Sequence, residues 1–195
     1  MHIYCDGPTH DGHEFVSYTA DKKENCGVVG IYGHPNATDY CVLAMHALQH
    51  RGQESAGMVV SNGDNLRGHV GMGLVSDVFP KEQQQKMTSW GDVAIGHVRY
   101  STAGSSNIAN AQPMLVEYSL GQMAVAHNGN LVNAMLLRDE YEAHGHIFQG
   151  TSDTEVIIHL LAKPTHISKP DTLAHVCRHL QGSFCLLLLT PEKLE

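Results

Sequence analysis

The sequence predicts an α+β fold in which two packed β-sheets are flanked by helices. Short strand segments come in adjacent groups and helical segments come in pairs, which favours packed antiparallel sheets over a parallel doubly wound sheet. An Asn-Gly turn within 61–64 separates strand-like segments at 56–60 and 66–71. This dipeptide supplies the positive φ angles of a tight turn, so the segment is predicted to form a hairpin.

The other elements follow in order along the chain. A buried strand is predicted over 26–32, and Thr38 or Asp39 is expected to cap a helix that runs to about residue 49. The middle of the chain is predicted to hold a short polar helix over 81–88, a strand over 92–100, a loop over 101–112 and a strand over 122–127 that ends in a turn at 128–130. The last elements are an amphipathic helix over 131–144, a helix opened by the capping box Ser152-x-x-Glu155, a long helix over 171–180 and a strand over 184–189.

Composition limits the class of protein. The chain has 195 residues, of which 42% are hydrophobic and 16% charged, as expected for one globular domain. The net charge of −8 argues against a nucleic-acid partner. No apolar stretch approaches the roughly 20 residues of a membrane span, and no secretory signal is recognisable. Five cysteines at wide, irregular spacing indicate reduced thiols and a cytoplasmic protein.

The chain contains 15 histidines, but no H-E-x-x-H motif and no Cys/His zinc spacing is recognised. We therefore assign no metal ligands from the sequence.

Cys26 is the candidate nucleophile. A cysteine before a buried strand is more often a core residue, although Gly27 beside it would let a substrate approach the backbone closely. If the chain began at Cys26, its own α-amine would lie next to the thiol. An α-amine has a pKa of about 7.7–8.0, which suits a general base near neutral pH.

Five further residues have both a structural and a functional interpretation. Arg99, at a strand end, can hold a substrate carboxylate or form a surface ion pair. Asn128 and Gly129 can donate to an oxyanion or form a simple turn. Asp153 can bind a substrate ammonium group or stabilise a helix N-terminus. Arg51 can serve the site or the end of the preceding helix.

Seven segments, in order from residue 26 to about 190, resemble the glutaminase domain of the amidophosphoribosyltransferase family. The segments are Cys-Gly-Val-Val-Gly-Ile at 26–31, Leu-Gln-His-Arg-Gly-Gln-Glu-Ser-Ala-Gly at 48–57, Gly-Leu-Val-Ser-Asp-Val-Phe at 73–79, Gly-His-Val-Arg-Tyr-Ser-Thr-Ala-Gly-Ser-Ser at 96–106, Ala-Gln-Pro at 111–113, Ala-His-Asn-Gly-Asn-Leu at 126–131 and Thr-Ser-Asp-Thr-Glu at 151–155. Related amidotransferases share the Cys-Gly start, the Asn-Gly pair and the Ser-Asp-x-Glu helix start. The remaining segments resemble the purine-synthesis family.

The resemblance implies an N-terminal-nucleophile hydrolase fold, a four-layer αββα sandwich of two antiparallel sheets. It also implies that Cys26 attacks the glutamine carboxamide with its free α-amine as base. Asn128 and Gly129 would hold the oxyanion, while Arg99 and Asp153 would bind the α-carboxylate and α-amine of glutamine.

The segment from Arg99 to about Asn110 resembles a glutamine loop that closes over the substrate. Thr102 lies in that segment and is therefore added as a candidate substrate-binding residue. Arg51, in the resembling segment at 48–57, is a further candidate. The domain itself is expected to contain neither a metal nor a cofactor.

The resemblance also predicts how the chain is organised. Residues 1–25 are expected to be a propeptide or disordered leader, removed by cleavage of the Asn25–Cys26 bond. Residues 26–195 would be the glutaminase domain, incomplete at its C-terminus, and the phosphoribosyltransferase domain would be absent.

The activity implied by the resemblance is hydrolysis of glutamine to glutamate and ammonia. The ammonia would serve formation of 5-phosphoribosylamine from phosphoribosyl pyrophosphate in purine (IMP) synthesis. A full-length protein would be a cytoplasmic homo-oligomer with Mg²⁺ in the phosphoribosyltransferase domain. An iron–sulfur cluster would be possible only in that full-length protein. No membrane or nucleic-acid partner is expected.

Three alternatives remain open from the sequence. The domain can belong to another amidotransferase of the same class, such as a sugar-phosphate aminotransferase. It can be a catalytically silent, unprocessed fragment. It can also be a histidine-rich metal-binding protein, which metal analysis of the purified chain would distinguish.

Overall fold

The computed structural model describes residues 26–100, 107–167 and 171–194. The strands are β1 (Gly27–Ile31), β2 (Ser55–Ser61), β3 (Leu66–Met72), β4 (Val93–Arg99), β5 (Met114–Tyr118), β6 (Gly121–Leu131) and β7 (Gly182–Leu189). The helices are α1 (Ala37–Ala47), α2 (Val75–Val78), α3 (Lys81–Thr88), α4 (Ala134–Ala143), α5 (Asp153–Ala162), α6 (Pro164–Ile167) and α7 (Thr172–Cys177). Within the described ranges, no helix has the length and apolar character that crossing a bilayer requires.

The strands form two sheets in which every pairing is antiparallel. The first sheet has the order β1-β4-β2-β3, and the second has the order β5-β6-β7. The hairpin of β2 and β3 confirms the interpretation of the Asn-Gly turn. The predicted pair of antiparallel sheets is therefore confirmed.

Three apolar layers hold the sheets and helices together. Helix α1 packs on the outer face of the first sheet, where Cys41 and Met45 lie fully buried. Helix α5 covers the outer face of the second sheet through residues such as Ile157 and Leu160. The layer between the sheets includes Val28, Val59, Ile95, Ala124, Ala126 and Leu189. This arrangement confirms the αββα sandwich.

The end of β6 differs from its prediction. The Asn128-Gly129-Asn130 segment was predicted to be a turn, but it continues β6 and pairs with β7, with Asn128 opposite Cys185. The turn prediction is therefore wrong. Gly129 has a φ of 150°, an angle that favours glycine, so the dipeptide that signals a turn also fits within this ladder.

Two helix starts also differ from their predictions. Helix α1 begins at Ala37 after Asn36, and Thr38 is buried, donating to the Met87 carbonyl at 3.3 Å. In α5, Ser152 Oγ accepts from the Thr154 N–H at 3.2 Å, as a capping residue does. The Glu155 carboxylate accepts instead from the Gln149 and Gly150 N–H groups, at 2.7 and 2.9 Å. The Glu155 side chain therefore binds the loop before α5 instead of the backbone N–H of Ser152, the bond that would complete a capping box.

The sequence analysis did not predict strand β5, because its stretch shows no clear alternation of apolar and polar residues. Helices α4 and α7 are shorter than the predicted 131–144 and 171–180, since β6 extends to Leu131 and α7 ends at Cys177.

Candidate active site

Side-chain alternation brings three predicted site residues to one end of the layer between the sheets. Successive residues of a strand point to opposite faces, so residues two or four apart share a face. Cys26, Arg99 and Asn128 therefore lie on the inner faces of their sheets, in line with these members of the central layer: Val28, Ile95 and Ala126. The pairing of Gly27 with Val98 in β1 and β4 places Cys26 and Arg99 side by side at the same end.

A cleft of about 710 Å³ opens at this end of the sandwich. Its described lining includes Cys26, Arg99, Gly129 and Asp153, together with residues of α4 and the loop before α5. Asn128 lies in β6 between two lining residues, but is not itself among those that line the cleft. Thr102 lies outside the described residues.

The Cys26 thiol is held by the backbone of Tyr100. The Tyr100 N–H donates to Sγ at 3.4 Å, and the thiol donates to the Tyr100 carbonyl at 3.8 Å. Burial raises the pKa of Cys26, and the Tyr100 hydrogen bond and the Arg99 charge offset only part of that increase. The thiol therefore needs a neighbouring base to become a nucleophile.

Arg51 contacts the backbone of Cys26. Its Nε donates to the Cys26 carbonyl oxygen at 3.3 Å, and it is not among the described residues that line the cleft. The structure thus places Arg51 next to the main chain of Cys26, where it can hold the residue in position.

Arg99 is fixed by a carboxylate that the sequence analysis did not single out. Its Nη1 donates to both carboxylate oxygens of Glu54, at 2.8 and 2.9 Å, and both side chains are largely buried. Both bonds use one corner of a guanidinium that carries five donors in a planar fork. Glu54 can therefore orient Arg99 toward the cleft.

Asp153, the first residue of α5, is held by two elements. One carboxylate oxygen accepts from the Leu131 N–H at 3.3 Å, and the other lies 3.4 Å from His127 Nδ1. Burial acts to raise the pKa of Asp153, but the hydrogen bond and charge of His127, together with the backbone N–H groups of Leu131 and Thr154, lower the pKa overall. Asp153 is thus an anion at neutral pH on the cleft wall.

Gly129 occupies a position where any side chain would collide with the neighbouring strand. A Cβ atom built there would lie 2.3 Å from the Ser183 carbonyl oxygen and 2.6 Å from the Phe184 Cα. The absence of a side chain leaves the backbone of this residue exposed to the cleft. Such a backbone can approach a ligand closely.

His127 is tied to both sheets of the sandwich. Its backbone N–H donates to Gln112 Oε1 at 2.7 Å, and its backbone carbonyl oxygen lies 3.0 Å from His97 Nε2. All three side chains are buried, and burial lowers the pKa of His97 to about 3. His97 is therefore neutral and links β4 to β6.

Asn110 fixes the loop that leads into α5. Its Oδ1 accepts from the Thr151 and Ser152 N–H groups at 2.8 and 3.1 Å, and its Nδ2 donates to Thr151 Oγ1 at 3.0 Å. Sequence reasoning missed Glu54, Gln112, His97 and Asn110 as positioning residues. All four lie inside or beside the segments that carry the family resemblance, and this position could have identified them as candidates.

Comparisons with known proteins identify relatives of this chain. The family model of a glutamine amidotransferase domain matches residues 97–195. An amidophosphoribosyltransferase of Lacticaseibacillus casei is 46% identical over 172 residues, which cover 88% of this chain and 88% of the relative. The chloroplastic enzyme of Vigna aconitifolia is 51% identical over 183 residues, covering 92% of this chain and 37% of the relative.

A solved structure of glutamine phosphoribosylpyrophosphate amidotransferase from Bacillus subtilis superposes with a TM-score of 0.77 at 42% identity. The match covers 84% of this chain and 35% of the solved one. Measured against the plant enzymes, with 30% and 37% of their length matched, the chain spans about a third of its longer relatives.

Proposed function

The chain belongs to the amidophosphoribosyltransferase family, and we propose that its described domain hydrolyses glutamine to glutamate and ammonia with Cys26 as the nucleophile. The observation that carries this proposal is the lining of one cleft by a thiol, a guanidinium and a carboxylate. Glutamine is a zwitterion at its α-carbon and an uncharged amide at its far end. A cleft with Arg99 and Asp153 beside Cys26 complements both ends of that molecule.

Binding is proposed to use the two charges of the cleft. The Arg99 guanidinium, already oriented by Glu54, would donate charge-assisted hydrogen bonds to the α-carboxylate. The Asp153 carboxylate, whose lowered pKa keeps it charged, would take the α-ammonium group. Fixing both groups leaves the carboxamide to be directed at Cys26.

The chemical step is proposed to follow covalent acyl transfer. The Cys26 sulfur attacks the carboxamide carbon, and the negative oxygen that develops is held by the Asn128 side-chain amide and the Gly129 N–H. The C–N bond breaks as the nitrogen takes a proton, ammonia leaves, and a γ-glutamyl thioester remains. Water then attacks the thioester carbon, releasing glutamate and returning the proton to sulfur.

The proposed base is the α-amine of Cys26, once the Asn25–Cys26 bond has been cleaved. The raised pKa of the Cys26 thiol makes such a base necessary near neutral pH. An amide nitrogen within a continuous chain cannot accept a proton in this way. Exposure of Cys26 would therefore switch the domain on.

The wider role is a proposal that rests on the relatives' names. The ammonia would be delivered to phosphoribosyl pyrophosphate by a phosphoribosyltransferase domain of the kind those relatives carry, giving 5-phosphoribosylamine for purine synthesis. We propose Mg²⁺ in that domain, a homo-oligomer in the complete protein, and a cytoplasmic location. The glutaminase steps themselves need only protein groups and water.

The decisive experiment is labelling with a diazoketone analogue of glutamine, followed by peptide mapping. The chain produced with Cys26 as its first residue is expected to carry one adduct, on Cys26, and to release glutamate from glutamine. Cys185→Ser is the matched control, because Cys185 is an exposed thiol, and it should label as the parent does. An adduct on another residue, or full activity in the uncleaved chain, would overturn the proposal.

A further inference from the structure

Three histidines that the sequence analysis did not single out form one cluster beside α5. His166 lies in α6, His175 lies in α7, and His179 follows α7 in the next turn. Their ring centroids are 4.7, 4.8 and 4.9 Å apart, so the three rings form a nearly equilateral triangle. None of these three described residues lines the cleft that contains Cys26.

The backbone explains why the rings converge. His175 and His179 are four residues apart, and the turn continues past α7 because the His179 N–H donates to the Val176 carbonyl at 2.8 Å. Residues four apart in a helical turn lie on the same face. His166 reaches that face from the neighbouring helix α6, which packs against α7.

We propose that His166, His175 and His179 form a binding site for a divalent transition-metal ion, with Zn²⁺ as the chemical class that fits best. One potential ligand atom from each ring lies within 4.8 Å of the other two. Tetrahedral Zn²⁺ with Zn–N bonds of about 2.0–2.1 Å requires nitrogens about 3.3 Å apart, so closure needs movements of about 1.5 Å or less. Side-chain rotation is sufficient for such a movement.

The hydrogen bonds of two of the rings leave Nε2 as the nitrogen that can bind a metal. His166 Nδ1 lies 3.0 Å from the Leu160 carbonyl oxygen, and His179 Nδ1 lies 2.9 Å from the His175 carbonyl oxygen. A carbonyl oxygen only accepts, so Nδ1 carries the proton in each bond, and in the neutral ring Nε2 then has the lone pair. Histidine ligands of metals typically have this outer hydrogen bond to a carbonyl or carboxylate.

Burial across the cluster suits entry of an ion. His166 is buried, His175 is half-buried and His179 is exposed. The site therefore opens to solvent on the His179 side, which leaves room for water as a fourth ligand. Imidazole ligands favour Zn²⁺ and its neighbours over Mg²⁺ or Ca²⁺, which prefer oxygen.

A bound ion would join two very short helices. Helix α6 has four residues and α7 has six, lengths at which a helix has little stability of its own. A metal that binds only the folded arrangement stabilises it by mass action. At an ion concentration a hundredfold above the dissociation constant, the unfolding midpoint is expected to rise by about 5 °C or more.

The test uses the untagged full chain after removal of metals with a chelator. Zn²⁺ is titrated in competition with a chromophoric chelator, and Co²⁺ is used to record the visible spectrum of the bound ion. We expect one high-affinity ion per chain, with a cobalt spectrum of nitrogen and oxygen ligands and no thiolate charge-transfer band. The increase in unfolding temperature is measured in parallel by circular dichroism.

The informative variant is His179→Gln, because His179 is exposed and its replacement should leave the fold intact. Its affinity for Zn²⁺ is expected to fall at least tenfold, and the thermal shift should disappear. The matched control is His144→Gln, another exposed histidine whose Nδ1 also lies near a backbone carbonyl, that of Glu140, at 2.7 Å. Equal Zn²⁺ affinity in the parent and His179→Gln, or a thiolate band in the cobalt spectrum, would overturn the proposal.

Discussion

The two faces of the first sheet serve different purposes, although they are built from the same four strands. The outer face carries Met58 and Val98, packed beneath α1 in a continuous apolar layer. The inner face is apolar over most of its length, at residues such as Val59 and Ile95, and becomes polar toward the end that holds Arg99. The candidate site thus lies where inner-face packing ends, while the outer face maintains the strands that position it.

The surroundings of a cysteine thiol, and so its pKa, also differ between the two faces. Cys41 lies in the outer layer, where complete burial raises its pKa to about 12. Cys26 lies at the inner end, where the backbone of Tyr100 and the charge of Arg99 oppose the effect of burial on its pKa. In the chain that begins at residue 26, Cys26→Ala should lower glutaminase activity by at least ~10³-fold.

Cys41→Ala is the matched substitution on the outer face. We expect activity per folded molecule to stay within about threefold of the parent, with a loss of stability of roughly 1 kcal/mol from the small cavity. Glutamate release and thermal unfolding measured on the same samples separate the two effects. Comparable losses of activity in both variants would contradict the division between the faces.

Strand β2 allows a second comparison, between Met58 and Ser55, whose side chains lie on opposite faces of the sheet. Met58 is fully buried on the outer face, and Met58→Ala should destabilise the domain by about 2–5 kcal/mol in urea unfolding. Ser55 Oγ is buried and has no hydrogen-bond partner among the described residues. Ser55→Ala should therefore be neutral or slightly stabilising, within about 1 kcal/mol. A reversed order of the two effects would show that the outer layer is not the main source of stability.

The polar part of the inner face should make stability depend on pH through His97. Its folded-state pKa of about 3 is below the ordinary value of 6.5, so its contribution is present above pH 6.5 and is lost as the pH falls toward 3. Between pH 7 and pH 4.5, this residue should remove on the order of 3 kcal/mol of stability.

His97→Gln should flatten that acid limb, since glutamine keeps a donor for the His127 carbonyl but does not titrate. Urea unfolding of both proteins at several pH values measures the difference. Identical pH profiles for the parent and the variant would exclude His97 as the cause.

A smaller effect, on the KM for glutamine, is expected when Glu54 is replaced. Because Glu54 orients Arg99 rather than contacting glutamine, Glu54→Gln should raise KM about tenfold while kcat changes by less than about threefold. Glu117→Gln, at an exposed position of β5, is the control and should match the parent. A loss confined to kcat would argue that Glu54 acts in the chemical step.

The sequence allowed the sandwich to be predicted, and it also indicated three candidate site residues that the structure brings to one cleft. Each of these three residues lies next to a strong local signal. Cys26 precedes β1, Arg99 ends β4, and Asp153 starts α5. Residues whose roles depend on distant partners had no such signal. Glu54 is 45 positions from Arg99, and Gln112 acts on the backbone of His127 in another strand.

The turn prediction that failed and the histidine cluster that was overlooked have related causes. The Asn-Gly pair at 128–129 has the composition of a turn, yet pairing with β7 keeps it in a strand, so tertiary contacts outweighed the local preference. The histidine cluster was overlooked because only two of its members have helical spacing. The spacing from His175 to His179 could have been noticed, but the approach of His166 depends on how α6 and α7 pack.

The position of β1 has a consequence for maturation. In the described sheet β1 is an edge strand that pairs with β4 alone, and its ladder begins at Gly27 opposite Val98. Cutting the chain before Cys26 therefore breaks no pair of that ladder. The proposed cleavage would thus leave the pairing of the described sheet unchanged, so the timing of activation could evolve separately from the architecture of the two sheets.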